Sequence, residues 1–176
     1  YTCMTANTTG NYNAAFGTLA AVSLNGGNRN VFCGNSAGSG LTTGSDNTFV
    51  GYKAGNSTTT ADNNVAIGKE ALFTNVTGAQ NIAIGRQALH DSTVSYNVAI
   101  GYLAMAVTTT GEHNVAVGAF ALDANTTASK GTAIGYAALS SNTTGGENTA
   151  IGYQCLDSNT TGVENTAVGS DALTSN

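Results

Sequence analysis

The sequence predicts an all-β chain, a β-solenoid (β-roll or β-helix) of about ten 17-residue coils. Three observations predict it. A short apolar phrase ending in glycine returns at Gly17, Gly34, Gly51, Gly68, Gly85, Gly101, Gly118, Gly135, Gly152 and Gly169. Every step is 17 residues except Gly85 to Gly101, which is 16. A period this strict marks a stack of like units, each touching mainly its neighbours. Polar turns separate the phrases, reading Asn-Thr-Thr-Gly at Asn7 to Gly10, Asn142 to Gly145 and Asn159 to Gly162. Proline is absent, which suits uninterrupted hydrogen-bond ladders. Residues 1–176 read as one continuous array.

The first phrase of each repeat is Asn-x-Ala-(Ile/Val)-Gly. The residue before the glycine is apolar throughout: Phe16, Cys33, Val50, Ile67, Ile84, Ile100, Val117, Ile134, Ile151 and Val168. Most are β-branched, which favours a strand. The third residue before the glycine is Val, Ile or Thr in all but the first repeat. Period-2 geometry places these two columns on one face, and their character assigns that face to the core. The column between them is Ala in eight repeats and Phe in two, Phe32 and Phe49. It is expected to face outward, where an alanine surface suits close packing against another chain or another part of the coil.

The second phrase runs from the glycine to Ala-Leu. Its leucines, Leu72, Leu89, Leu122, Leu139, Leu156 and Leu173, with Met105, are expected inside. A helix there is excluded by length. The repeated glycines, Gly34 through Gly169, are assigned to corners. The Asn that opens each repeat becomes Gly131 once. That exchange predicts a left-handed backbone at this column, with a stacked amide ladder as a second contribution. A coil of this length has a perimeter of roughly 55 Å, room for two or three short strands. The stack should form a rod about 50 Å long.

The residue five before each glycine is mostly polar and forms a solvated column. It sets Arg29 beside Asp46, Lys130 beside Glu147, and Glu147 beside Glu164. Exposed pairs of this kind contribute at most about 1 kcal/mol. Tyr1 to Met4 aligns with Tyr153 to Leu156, and Asn176 falls short of a turn glycine. Both ends therefore fall within a coil, so either the chain is an excerpt of a longer array or its subunits stack end to end through unpaired backbone groups.

Composition narrows the function classes. Charged residues are 9% of the chain, net charge is -5, and no basic run occurs, which excludes a nucleic-acid partner. No apolar run reaches the ~18 residues of a spanning helix, so no membrane insertion is expected. Cys3, Cys33 and Cys155 lack metal-ligand spacing and are expected as free thiols. Cys3 and Cys155 share a column nine coils apart, roughly 43 Å, far beyond a disulfide. His90, Asp91 and His113 fall at turns and form no catalytic constellation. No nucleophile elbow, P-loop or zinc motif occurs, and Gly44-Ser45-Asp46 is no calcium repeat. The chain is read as no enzyme, with no metal and no cofactor. Tyr52, Tyr102, Tyr136 and Tyr153 follow their glycines, and Tyr136 should stack on Tyr153. Such a ladder suits a subunit contact or a platform for glycans or a cell surface. Turn threonines are adjacent, so their side chains diverge, unlike the flat Thr-x-Thr rows of ice-binding solenoids. Asn-x-Thr sequons at Asn7, Asn56, Asn75, Asn125, Asn142 and Asn159 are read as exposed turns.

The phrase Asn-Thr-Ala-Ile-Gly-Tyr at Asn148 to Tyr153, its relatives from Asn64 to Leu173, and the Asn-Thr-Thr-Gly turns resemble the β-roll head repeats of trimeric autotransporter adhesins (YadA-like). They also resemble the related repeat shafts of phage and other viral fibre proteins. The resemblance implies a left-handed solenoid, a homo-trimer, and an extracellular, cell-surface or virion setting. The repeat is longer than the adhesin one, and no neck, stalk or anchor is seen. The expected role is a structural fibre segment that joins copies of itself, side by side through the alanine face or end to end as a polymer. The alternative is an adhesin module using the tyrosine ladder. Ice binding ranks behind both.

Overall fold

The computed structural model describes residues 2–174. Tyr1 and Asn176, and with them part of the reading of the chain ends, lie outside the described residues. Every coil contributes one three-residue strand centred on the Ala/Phe column. The ten are β1 (Ala14–Phe16), β2 (Val31–Cys33), β3 (Thr48–Val50), β4 (Val65–Ile67), β5 (Ile82–Ile84), β6 (Val98–Ile100), β7 (Val115–Val117), β8 (Thr132–Ile134), β9 (Thr149–Ile151) and β10 (Thr166–Val168). They form a single parallel sheet in chain order. Each residue pairs with its counterpart one repeat on, as in Ala116↔Ala133. The short repeat keeps that register, with Ala83 opposite Ala99. Its missing residue is lost from the turn, where Ser92 to Val94 replaces Asn75 to Gly78. The fold is thus an all-β solenoid with repeats of roughly 17 residues.

The strand faces are the reverse of those the sequence suggested. Phe32, Phe49, Ala66, Ala83, Ala99, Ala116, Ala133 and Ala150 are fully buried within the chain's own coils. The columns on either side point outward. Ile67, Ile100, Ile134 and Ile151 are each 37–39% exposed, and Val168 on the last coil is 68% exposed. Val50, Ile84 and Val117 are half-buried among their stacked neighbours. None of these eight is a core residue of the single chain. The physical reason is width. Across from each strand centre stands the leucine column, where Leu72, Leu89, Met105, Leu122, Leu139 and Leu156 are fully buried. In these coils the leucine-column side chain fills the gap, leaving room for only a methyl opposite, and nearer the start the turn column adds the buried Leu24 and Leu41.

Two coils reverse the arrangement. Where the strand centre is Phe32 or Phe49, the leucine column holds Gly38 or Gly55, and a Cβ there would run into the phenyl ring. Phe with Gly, or Ala with Leu, fills the same space. Leu173, also expected inside, is 48% exposed on the last of the described coils.

The second phrase is not a strand, so each coil has one strand rather than two or three. Its backbone alternates into the left-handed region, as at Gln87 (φ 57°) and Leu89 (φ 49°). A third such residue precedes each repeat's opening Asn, for instance Gln80 (φ 59°) and His113 (φ 60°). The opening Asn itself is not left-handed, contrary to the reading of the Gly131 exchange. The corner glycines Gly34, Gly51, Gly68, Gly85, Gly101, Gly118, Gly135, Gly152 and Gly169 have φ between 131° and 144°. A Cβ at Gly101 would also strike the carbonyl of Gly118 on the next coil. Close backbone approach and φ together require glycine there.

The opening Asn earns its place through its amide. The Asn47 N–H donates to Asn30 Oδ1 at 2.9 Å, Asn64 to Asn47 at 3.0 Å, and Asn81 to Asn64 at 2.9 Å. From Asn13 to Asn148 the Nδ2 also donates to a turn carbonyl, as Asn97 to Gly111 at 2.9 Å. Gly131 keeps its own N–H bond to Asn114 Oδ1. A second buried amide column closes the turns: Asn75 Nδ2 donates to the Gly78 carbonyl and Asn75 Oδ1 accepts from the Gly78 N–H. The sequon residues Asn75, Asn125, Asn142 and Asn159 belong to this column and are buried, not exposed as expected. Where it carries Thr58, Ser92 or Thr108, the buried hydroxyl has no partner.

Three expectations follow from this packing. Leu139→Asp would bury an unpaired charge and should unfold several coils; circular dichroism melting would expose an unchanged midpoint as a refutation of the inward column. Ala133→Phe alone should destabilise by about 1–3 kcal/mol through overpacking, and added Leu139→Gly should recover most of the loss. A double-mutant cycle by chemical denaturation measures that coupling. Thr108→Asn should gain both bonds to Gly111 and raise stability by roughly 1 kcal/mol in the same assay.

Candidate functional site

Two surfaces stand out from the described residues. The first is the outer face of the sheet. Each of the ten strands presents two side chains outward, all Val, Ile, Thr, Ala, Cys or Phe, none charged. Nine steps of ~4.8 Å make the face on the order of 43 Å long. At about 10 Å wide it approaches 400 Å², within the range of patches that mark interaction sites. Parallel sheets are normally covered on both sides. Here the chain's own coil covers only the alanine side.

The second surface is the corner that follows each strand. The residue after the glycine and the one after that stack from coil to coil. Tyr136 lies over Tyr153 with ring centroids 5.4 Å apart and planes 12° apart. Tyr102 and Tyr136 are linked through Phe120, which meets each edge-on at 5.2 and 5.8 Å. Tyr52 is separated from this run by two coils and carries cations instead: Lys53 Nζ lies 5.3 Å and Lys69 Nζ 5.9 Å from its ring centre. Arg86 sits 5.5 Å over Tyr102. The four predicted tyrosines therefore share one corner, with Tyr102, Tyr136 and Tyr153 in a continuous run. Phe120 and the Lys53–Lys69–Arg86 cluster were missed. Their fixed offsets from the glycine would have found them, since they fall one or two residues after it.

The remaining candidates resolve into stacking partners. His90 Nδ1 lies 2.8 Å from Asp91 Oδ1, and its ring stacks on Phe73 at 5.1 Å. His113 stacks on Tyr96 at 5.0 Å. The solvated column pairs as the sequence indicated: Arg29 bonds Asp46 at 2.6 Å and Lys130 bonds Glu147 at 2.8 Å. The Arg29 guanidinium holds the Asp46 carboxyl below its usual range. Asp123 differs, for burial pushes its carboxyl up while nearby backbone N–H groups oppose that shift. Cys155 is buried, its thiol pushed up by desolvation, and its Sγ donates to the Ala167 carbonyl at 3.3 Å. Cys3 and Cys33 are exposed, and all three thiols are free. Among the described residues no cluster of His, Cys, Asp or Glu could hold a metal ion. No helix there is long and apolar enough to cross a membrane.

Comparison with protein-family models, with curated proteins and with solved structures finds no match for this chain.

Proposed function

We propose that this chain is a structural β-solenoid segment of an extracellular or virion fibre, and that copies of it join side by side through the outer sheet face. The uncharged Val/Ile/Thr face carries this reading. Expected as core from sequence, it is outward in the single chain and has nothing of the chain's own to cover it. Side-by-side packing of two or three copies, as in a homo-trimer, would give the isoleucine columns a buried setting. The alanine face cannot serve, because it is already enclosed. Charge placement supports the assignment. The Arg29–Asp46 and Lys130–Glu147 pairs and the Lys53–Lys69–Arg86 cluster all lie off the sheet face. The rod's role in this reading is mechanical, with stiffness supplied by continuous ladders.

Ice binding would use the same face but needs threonine in both rows. Only Thr48, Thr132, Thr149 and Thr166 stand in one row, and none stands in the other.

Ile100→Lys with Ile134→Lys should leave the fold intact, since both side chains already reach solvent in the single chain. It should convert an oligomer to a monomer, because buried unpaired lysines oppose association. Light scattering coupled to size exclusion decides it. A wild-type chain that is monomeric at all concentrations would sink the proposal.

A further inference from the structure

We propose that the corner groove beside β7 to β9 is a binding site for a neutral saccharide. The observation is a groove along one edge of the rod. Two residues after the glycine, most coils place a long side chain, such as Gln87, Leu103, Phe120 and Gln154. The coil of β8 places Ala137 there. Five residues after the glycine, the coils of β4 and β5 place Phe73 and His90, whose stacked rings fill the corner. The coils of β7 and β8 place Asp123 and Ser140 instead. Both changes coincide, and they open a groove of about 530 Å³. That lies within the range of small-ligand sites.

The lining suits a sugar. Phe120 and Tyr136 supply aromatic surface. Rings of this kind pack against the C–H face of a pyranose and still leave a phenol O–H for bonding. Asp123, Ser140, Ser141 and Gln154 line the same groove and bring a carboxyl, two hydroxyls and an amide to it. Among the described residues, no side-chain hydrogen bond engages those hydroxyls or that amide, so they face the groove with free donors and acceptors. A carboxylate accepting from sugar hydroxyls forms the stronger, charge-assisted kind of hydrogen bond. The same carboxylate selects against anionic sugars. No Lys or Arg lines the groove, and the chain carries a net charge of -5. Tyr153, stacked on Tyr136, extends the aromatic surface along the rod, which fits a chain of sugars better than a single one.

The site is independent of the sheet face, so it stands or falls apart from self-association. The test is a glycan array carrying neutral gluco-, galacto- and manno-oligosaccharides beside sialylated and sulfated ones. Any hit is then titrated calorimetrically, on both the wild type and the Ile100→Lys/Ile134→Lys variant. At least one neutral oligosaccharide should bind both proteins. Ala137→Phe refills the groove at a left-handed position where Phe120 is already tolerated one coil earlier, and should weaken binding at least tenfold with an unchanged melting midpoint. Tyr136→Ala should do the same, while Tyr52→Ala, at the far end of the corner, should leave affinity unaltered. Should Ala137→Phe fail to fold, Tyr136→Ala and the isosteric Asp123→Asn decide between them. No neutral ligand, binding confined to sialylated or sulfated glycans, or binding indifferent to the groove variants overturns the proposal.

Discussion

The stacking of one coil on the next is the constraint on which everything else depends. Most coils hold three non-glycine residues in the left-handed region, such as Gln80, Gln87 and Leu89, and two coils place Gly38 or Gly55 at the third position. That region costs an L-residue roughly 1–2 kcal/mol. An isolated coil has no interaction able to offset three such residues. In the stack, their N–H groups are held alternately from either side: Glu70 donates to Tyr52 on the preceding coil, and Leu72 to Ala88 on the following one. The buried Asn column adds side-chain amides to the same axial network, so a 17-residue offset is enforced at several points around the perimeter. A one-residue slip would break all of them together, which explains why the short repeat loses its residue in a turn and regains register by Ala99.

The tight turning that stacking permits then fixes the interior. A coil with one short strand and several left-handed corners encloses a narrow space. From β2 to β9 it takes one large side chain from the strand centre or the leucine column but not from both, and the turn column adds Leu24 and Leu41. The β-branched residues are consequently excluded, and their outward position is a result of packing rather than of polarity. Their β propensity still serves the fold, since branched side chains shape the extended backbone from either face.

Period, strand positions, the buried leucines, the amide ladder, the Arg29–Asp46 and Lys130–Glu147 pairs and the Tyr136–Tyr153 stack were all legible in the sequence. Each follows from residues recurring at one offset. The inside and outside of the strand were not legible from alternation, which separates two faces without saying which is enclosed. Hydrophobicity pointed the wrong way because alanine is a poorer hydrophobe than isoleucine but a better fit. The deciding signal was present in two places: Phe32 occurs with Gly38, and Phe49 with Gly55. That exchange of bulk shows which columns share a cavity. The left-handed positions were hidden because Gln, Glu, Lys and Leu carry no mark of φ, whereas Asn does and misled. The sequons misled likewise, since Asn75 and Asn142 serve as internal turn closures.

The groove escaped notice for a related reason. It is made by two small residues, Ala137 and Ser140, at offsets where no repeat pattern is kept. Columns that stack through the interior admit few residue types, as the alanine and leucine columns show. The sheet face admits only uncharged, mostly branched ones. Residues one, two and five positions after each glycine are bound by neither limit, and there the chain varies from Lys53 and Phe73 to Phe120 and Asp123. A solenoid of identical coils can therefore carry different chemistry at different heights along one edge, with the backbone unchanged beneath it. On that view, rigidity and recognition belong to separate columns of the same repeat, and beside β7 to β9 small residues at two of those offsets leave a groove next to Phe120 and Tyr136.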